Sequence, residues 1–268
     1  MENGTDWLRL WQELVQVRTE LKKASANGRI TPTASRRWST LDSTIDFISS
    51  RLDTVQDATL LDIGAGNGRL TIALSKHVRQ VTAIDSSSAM IQMMQENIRA
   101  AYVTNIEPVQ GTWPEMQMVA HDFSLCSHAM YGAADFYTFI QQMMGVTRHT
   151  CFLLMRAPVP YGIMADAAKH IWGHPYDSPN FQVGYNALLQ MGIFPNVMIA
   201  DTGLWDPWVS PSVEEALDEI KSRFGLGPVE KYDDFLVKLL RQRLVFVNGQ
   251  YIWPRGVRSA LIYWDIDP

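Results

Sequence analysis

The sequence predicts an α/β fold: a doubly wound, mostly parallel sheet with N-terminal helices and a helical and hairpin insertion before the last strand. Three observations lead there. Apolar, strand-like runs alternate with helical patterns from residue 59 to residue 157, which marks βαβ units. The run Leu60-Leu61-Asp62-Ile63 passes straight into Gly64-Ala65-Gly66-Asn67-Gly68, and a helical pattern follows. Well after the alternation ends, Asn248-Gly249 sits between two apolar runs, the strongest short-range signal for a hairpin.

Composition sets the outer bounds. The chain has 268 residues, 47% of them hydrophobic, enough for one α/β domain with a sizeable core. It divides into an N-terminal helical cap over 1–55, a ligand-binding half over 56–157, and a second half over 158–268 with the insertion. The formal net charge is −5 and no run of Lys or Arg exceeds two. A large nucleic-acid footprint needs a basic face, so no nucleic-acid partner is expected. Cys126 and Cys151 lie in apolar runs and read as buried thiols, with no disulfide framework. No apolar run reaches membrane-spanning length, and the N-terminus lacks a basic-then-apolar leader. A cytoplasmic protein is expected, with no membrane partner and with homo-oligomers permitted.

The elements follow in order. Trp7, Leu10, Trp11, Leu14, Val17 and Leu21 keep a helical period over residues 6–23. That helix either packs on the domain or lies across the ligand mouth. Residues 24–40 are polar with Gly28 and Pro32, a loop that carries Arg36-Arg37-Trp38. Leu41, Ile45, Ile48 and Leu52 share a face over 41–54. Strands are expected at 59–63, 80–85, 105–110, 122–127 and 151–157. After the second strand, Ser86-Ser87-Ser88 caps a helix with Ile91, Met94 and Ile98 on one face. Residues 158–195 are rich in proline and aromatics. His170 and His174 stand one helical turn apart, but Gly173 and Pro175 spoil the helix and no third ligand stands out, so no metal site is expected. Asn196 to Ala200 forms a sixth strand, and Trp205-Asp206-Pro207-Trp208 can wall a pocket. Two amphipathic helices follow, marked by Val213, Ala216, Leu217, Ile220 and Phe224, then by Phe235, Leu236, Leu239 and Leu240. The hairpin over 245–253 and a last strand over 260–264 complete the chain.

Chemistry concentrates on the first glycine loop. Gly64, Gly66 and Gly68 tolerate positive φ and present bare backbone to a bound molecule. The dinucleotide spacing G-x-G-x-x-G would put its third glycine at 69, where Arg69 stands. Asp62, two residues before the first glycine, can accept loop N–H bonds and face an ammonium group. Asp85 closes the second strand, where a carboxylate would hold ribose hydroxyls.

These pieces resemble a class I S-adenosylmethionine-dependent methyltransferase. The matching stretches are Leu61 to Gly68, Val81 to Met90, Val109-Gln110-Gly111-Thr112-Trp113, and Asp122 to His128, in that order. The resemblance implies a class I methyltransferase-like fold whose final strand runs antiparallel inside the sheet, and S-adenosyl-L-methionine as cofactor. It implies cofactor contacts from Asp62, Gly64, Ala65, Gly66 and Gly68, then Asp85, Ser86 and Met90, then Thr112, Trp113, Cys126 and Ser127. Thr112 stands where the family usually has an acid, and Trp113 is expected to cover the adenine face. His128 and Tyr131 would point toward the transfer site, His128 as the base where one is needed and Tyr131 orienting it. No Pro-Pro-Tyr or Pro-Pro-Trp run follows the fourth strand, and no proline precedes Cys126, so the implied acceptor is a small molecule, with a small protein partner as the other reading. A non-catalytic S-adenosylmethionine-binding protein and a nicotinamide-dependent oxidoreductase are the alternatives.

Overall fold

The computed structural model describes residues 4–25, 43–199 and 207–266. Arg36, Arg37, Trp38, Leu41, Ala200, Trp205 and Asp206 lie outside the described residues. In chain order the elements are α1 (Trp7–Ser25), α2 (Ser43–Leu52), β1 (Thr59–Ile63), α3 (Arg69–Leu74), β2 (Gln80–Asp85), α4 (Ser88–Ala100), β3 (Ile106–Gln110), β4 (His121–Ser127), α5 (Phe136–Gly145) and β5 (Thr147–Pro158). There follow α6 (Ile163–Trp172), α7 (Phe181–Gln190), β6 (Asn196–Ile199), β7 (Val209–Ser210), α8 (Val213–Phe224), α9 (Asp233–Arg243), β8 (Val245–Val247), β9 (Gln250–Ile252) and β10 (Val257–Asp265).

The main sheet has the order β3-β2-β1-β4-β5-β10-β6. β1 to β5 run parallel, and β10 enters antiparallel between β5 and β6. This is the doubly wound architecture the sequence predicts. Strand order reverses between β1 and β4, so the crevice beyond their carboxyl ends is where such a sheet binds ligands.

Strand alternation decides which side chains feed which face. Leu61 and Ile63 join Cys151, Leu153 and Met155 in one core, covered by α1, α5 and α7. Leu60, Phe152 and Leu154 join the opposite core with Ile48 and Leu52 of α2 and Leu70 and Leu74 of α3. The α4 face is the one the period marks: Ile91, Met94 and Ile98 are buried, and Ser87 accepts from the Met90 N–H as the cap. The Asn248-Gly249 hairpin joins β8 to β9 with φ of 49° and 80°, as its turn requires.

Three helices escape the pattern reading. α5, α6 and α7 are each 10 residues long, too short for a sustained period, and the prolines of 158–195 mask the last two. α6 packs with α8, α9 and Trp253 in a separate apolar cluster on the far side of β5. Its helix stops at Trp172 with Gly173 at φ +81°, and His170 stacks on Phe235 at 3.8 Å. Among the described residues no group of three metal-ligating side chains forms, and no helix is long and apolar enough to cross a membrane.

α1 is a packing helix in this structure. Trp11 is fully buried, stacks on Phe136 at 4.2 Å, and donates its indole N–H to the Ala133 carbonyl at 2.8 Å. Gly184 of α7 makes room for it: a Cβ there would come within 3.2 Å of the Trp11 ring and 2.8 Å of Met155. Trp11→Ala should therefore lower unfolding free energy by roughly 3–5 kcal/mol, the cost of a large core truncation. Urea unfolding followed by circular dichroism measures it, and a loss under 1 kcal/mol would mean α1 is only loosely docked.

Candidate active site

The glycine loop lies at the end of β1 with Gly64 and Gly66 at φ of +72° and +59°, a backbone region costly for side chains with a Cβ. Gly64 also touches the segment after β4: a Cβ there would sit 2.1 Å from the Ala129 Cβ. At Gly66 a Cβ would meet nothing within 4 Å, so that side of the loop is open. Gly68 is the N-cap of α3.

The loop amides are held by the second strand. Gly64 and Ala65 N–H both donate to the Ile84 carbonyl at 2.8 Å. The Gly66 N–H donates to Asp85 Oδ2 at 2.8 Å, while Asp85 Oδ1 accepts from the Ser87 N–H at 2.9 Å. Asp85 thus braces the loop and the start of α4 together. This corrects the expectation that Asp62 fixes the loop. Asp62 shares the Leu60 face of β1, the face under α3, and accepts from Thr71 Oγ1 at 2.6 Å. Burial pushes its carboxyl up to about 6; Asp85's charge adds to this and the Thr71 bond opposes it.

The remaining sequence-marked residues border this loop or the strands beside it. Ser86 and Thr112 are exposed, and Met90 and Ser127 are half-buried. Trp113 departs from expectation. Its indole is buried in the core, donates to the Phe139 carbonyl at 3.3 Å, and meets the Phe139 ring edge-on. The expected place over an adenine face is thereby given up to core packing. Cys126 is fully buried, its thiol pushed well above the usual range by burial and by Asp62.

Just past the end of β4 stands His128, which holds a positive φ of 55°, rare outside glycine. His128 and Tyr131 do come together: His128 Nδ1 lies 3.1 Å from the Tyr131 hydroxyl. That hydroxyl also accepts from the Arg156 backbone N–H. On the other side of the ring, Nε2 faces Ser259 Oγ at 3.5 Å. Burial, then the charges of Arg156 and Arg69, pull the imidazole down to about 3. Burial pushes the phenol up to about 12. Both groups stay neutral at physiological pH, so His128 is a weak proton acceptor.

Arg156 opens onto a cavity of about 160 Å³ past the end of β5. Asp177, Trp208, Arg223, Trp253 and Arg255 are among its walls, and no residue of the glycine loop is. Trp208 was marked in the sequence as a pocket wall. Arg156 and Ser259 were not, although Arg156 closes a parallel strand, the place where such sheets put ligands.

Comparison with known proteins agrees with this geometry. The family described as a methyltransferase domain matches residues 60–150. A tRNA/tmRNA (uracil-C(5))-methyltransferase of Vibrio atlanticus is 26% identical over 125 residues, covering 46% of this chain and 31% of its own. A probable ribosomal RNA small subunit methyltransferase A of Methanosphaera stadtmanae is 30% identical over 69 residues, 26% of each chain. The chain spans about a third or less of the length of these curated relatives. Among solved structures, the YcgJ protein from Bacillus subtilis aligns with a TM-score of 0.56 at 15% identity, covering 84% of this chain and 98% of its own. A geranyl diphosphate methyltransferase in complex with S-adenosylmethionine aligns with a TM-score of 0.50 at 13% identity, covering 84% and 85%. The expectation that no nucleic acid takes part is overturned, because the curated relatives are RNA methyltransferases. Net charge averages over a whole surface, whereas an acceptor is gripped locally, and here the local field past β5 is positive.

Asp62 gives a pH test of the site's electrostatics. Its folded carboxyl holds a proton up to about pH 6, while the unfolded one releases it near 4. Its contribution therefore favours the fold at low pH and is lost as pH rises through about 6. Between pH 4.5 and 8, wild type should lose on the order of 1–3 kcal/mol relative to Asp62→Asn. Urea unfolding at both pH values reads the difference; a flat difference would mean Asp62 is ionised throughout.

Proposed function

We propose that this chain, whose residues 60–150 match a methyltransferase domain family, is a class I S-adenosylmethionine-dependent methyltransferase that moves the cofactor's methyl group to an acceptor held past β4 and β5. The observation that carries this is the loop after β1, open at Gly66 and braced by Asp85. The residues present suit the cofactor. A buried carboxylate at Asp62 and a second at Asp85 complement a ligand that bears an ammonium and ribose hydroxyls. When bound, the cofactor supplies a methyl group already activated on a sulfonium.

The chain's own task is then alignment and exclusion of water. Gly64, Ala65, Gly66 and Gly68 offer backbone, Asp85 and Ser86 the ribose side, and Met90 and Thr112 the adenine side. Cys126 and Ser127 bring backbone to the methionine side. His128, held in place by Tyr131, stands on the acceptor side. A base is required only for an acceptor protonated at working pH.

For the acceptor, a metabolite-sized molecule is supported by the size of the cavity at Arg156, about 160 Å³. Carbon methylation at a pyrimidine C5 needs a thiolate nucleophile, and Cys126 and Cys151, the only cysteines, are buried and protonated. An RNA nucleotide as acceptor is the second reading, favoured by the curated relatives.

S-adenosylhomocysteine at a hundred times its dissociation constant should raise the melting temperature by roughly 5–10 °C. No shift at millimolar ligand overturns the proposal. Asp85→Ala should weaken that binding more than His128→Ala does; the reverse order would remove Asp85 from the ribose side. Transfer of a radiolabelled methyl group into a metabolite extract, assayed beside total RNA, separates the two acceptor readings. Label in neither would mark a cofactor binder without turnover.

A further inference from the structure

The cavity past β5 has an unusual charge balance. Four arginines line it, Arg156, Arg223, Arg243 and Arg255, against one carboxylate, Asp177. Asp177 is buried between two of them: Arg223 pairs with it directly and Arg156 Nη2 stands 3.8 Å away. Arg243 pairs with Asp166 at 2.8 Å. Arg18 of α1 is close enough to be held down to about 10, by burial first and then by Arg223 and Arg156, with Asp177 and Glu219 acting the other way. Counting Asp166, the walls still carry four guanidiniums against two carboxylates. Arg255 has no ion-pair or hydrogen-bond partner among the described residues.

Buried positive charge without a full complement is costly, and an incoming anion relieves it. The other walls are flat and apolar. Trp208 and Trp253 meet edge to face at 5.5 Å, and the Arg223 guanidinium lies 5.5 Å over the Trp208 ring. Ile163 and Met164 of α6 complete the apolar side.

We infer that this cavity is a binding site for an anionic ligand with a flat apolar body, its carboxylate or phosphoryl group held by Arg156, Arg223 and Arg255. Arg156 joins it to the transfer site, because its backbone N–H is bonded to Tyr131. That the ligand is the methyl acceptor rests on the methyltransferase proposal; that the cavity takes an anion does not.

Isothermal titration of the full chain tests it with phenyl phosphate, benzoate and neutral benzyl alcohol, and with a short single-stranded RNA. The two small anions should bind at least tenfold more tightly than benzyl alcohol, the worth of about one charge-assisted hydrogen bond. Arg255 is exposed, so its variants fold. Arg255→Glu should weaken anion binding roughly tenfold, and Arg255→Lys should restore most of it. RNA that binds and is displaced by phenyl phosphate would assign the anion to a polymer phosphate; RNA that does not bind would assign it to a free anion, and both support the site. Anions no tighter than benzyl alcohol, or unchanged in Arg255→Glu, overturn it. The titrations need no cofactor, so a failure of S-adenosylhomocysteine to bind would sink the methyltransferase proposal and leave this one standing.

Discussion

One carboxylate ties the candidate site together. Asp85 accepts from Gly66 on the first loop and from Ser87 at the start of α4. Two connections from neighbouring parallel strands are thereby fixed to one another at the sheet's carboxyl edge. A loop with left-handed glycines has many accessible conformations. Asp85, with the Ile84 carbonyl that takes two more amides, selects one of them. The same group cannot both brace the loop fully and satisfy a ribose without sharing its lone pairs, and a carboxylate has enough of them to do so.

Charge is distributed unevenly along that edge. Acid lies under the β1 and β2 ends, at Asp62 and Asp85. Base lies past β5, at Arg156 and Arg223. Between them stand His128 and Tyr131, both neutral, linked by a hydrogen bond and anchored by the backbone of Arg156. A ligand that is cationic at one end and faces an anionic one at the other would lie along this gradient. The depressed histidine belongs to it: positive neighbours and burial keep the ring uncharged where the two fields meet.

Much of the fold was legible because parallel strands buried on both faces are written as continuous apolar runs. β1, β2 and β4 fall within a residue of their expected bounds. The glycine loop and Asp85 were legible for the same reason, since spacing along one βαβ unit is local. What escaped is which individual side chains meet. Nothing near Asp62 says that Thr71 will take its oxygen, and nothing near Trp113 says that Phe139 will claim its indole. Asp177 gives no sign in sequence that it sits between Arg156 and Arg223. The expectation that no nucleic acid takes part leaned on net charge, which cannot see a local cluster.

The antiparallel strand β10 has a further effect. It pairs with β5 along its whole length, from Val257 opposite Pro158 to Asp265 opposite Thr150, and carries Ser259 to His128 and Val257 to the cavity wall. Those pairings join segments far apart in the chain, which makes them slow to find. The sheet edge beside His128 and that wall of the cavity are therefore completed together, in one late step of folding.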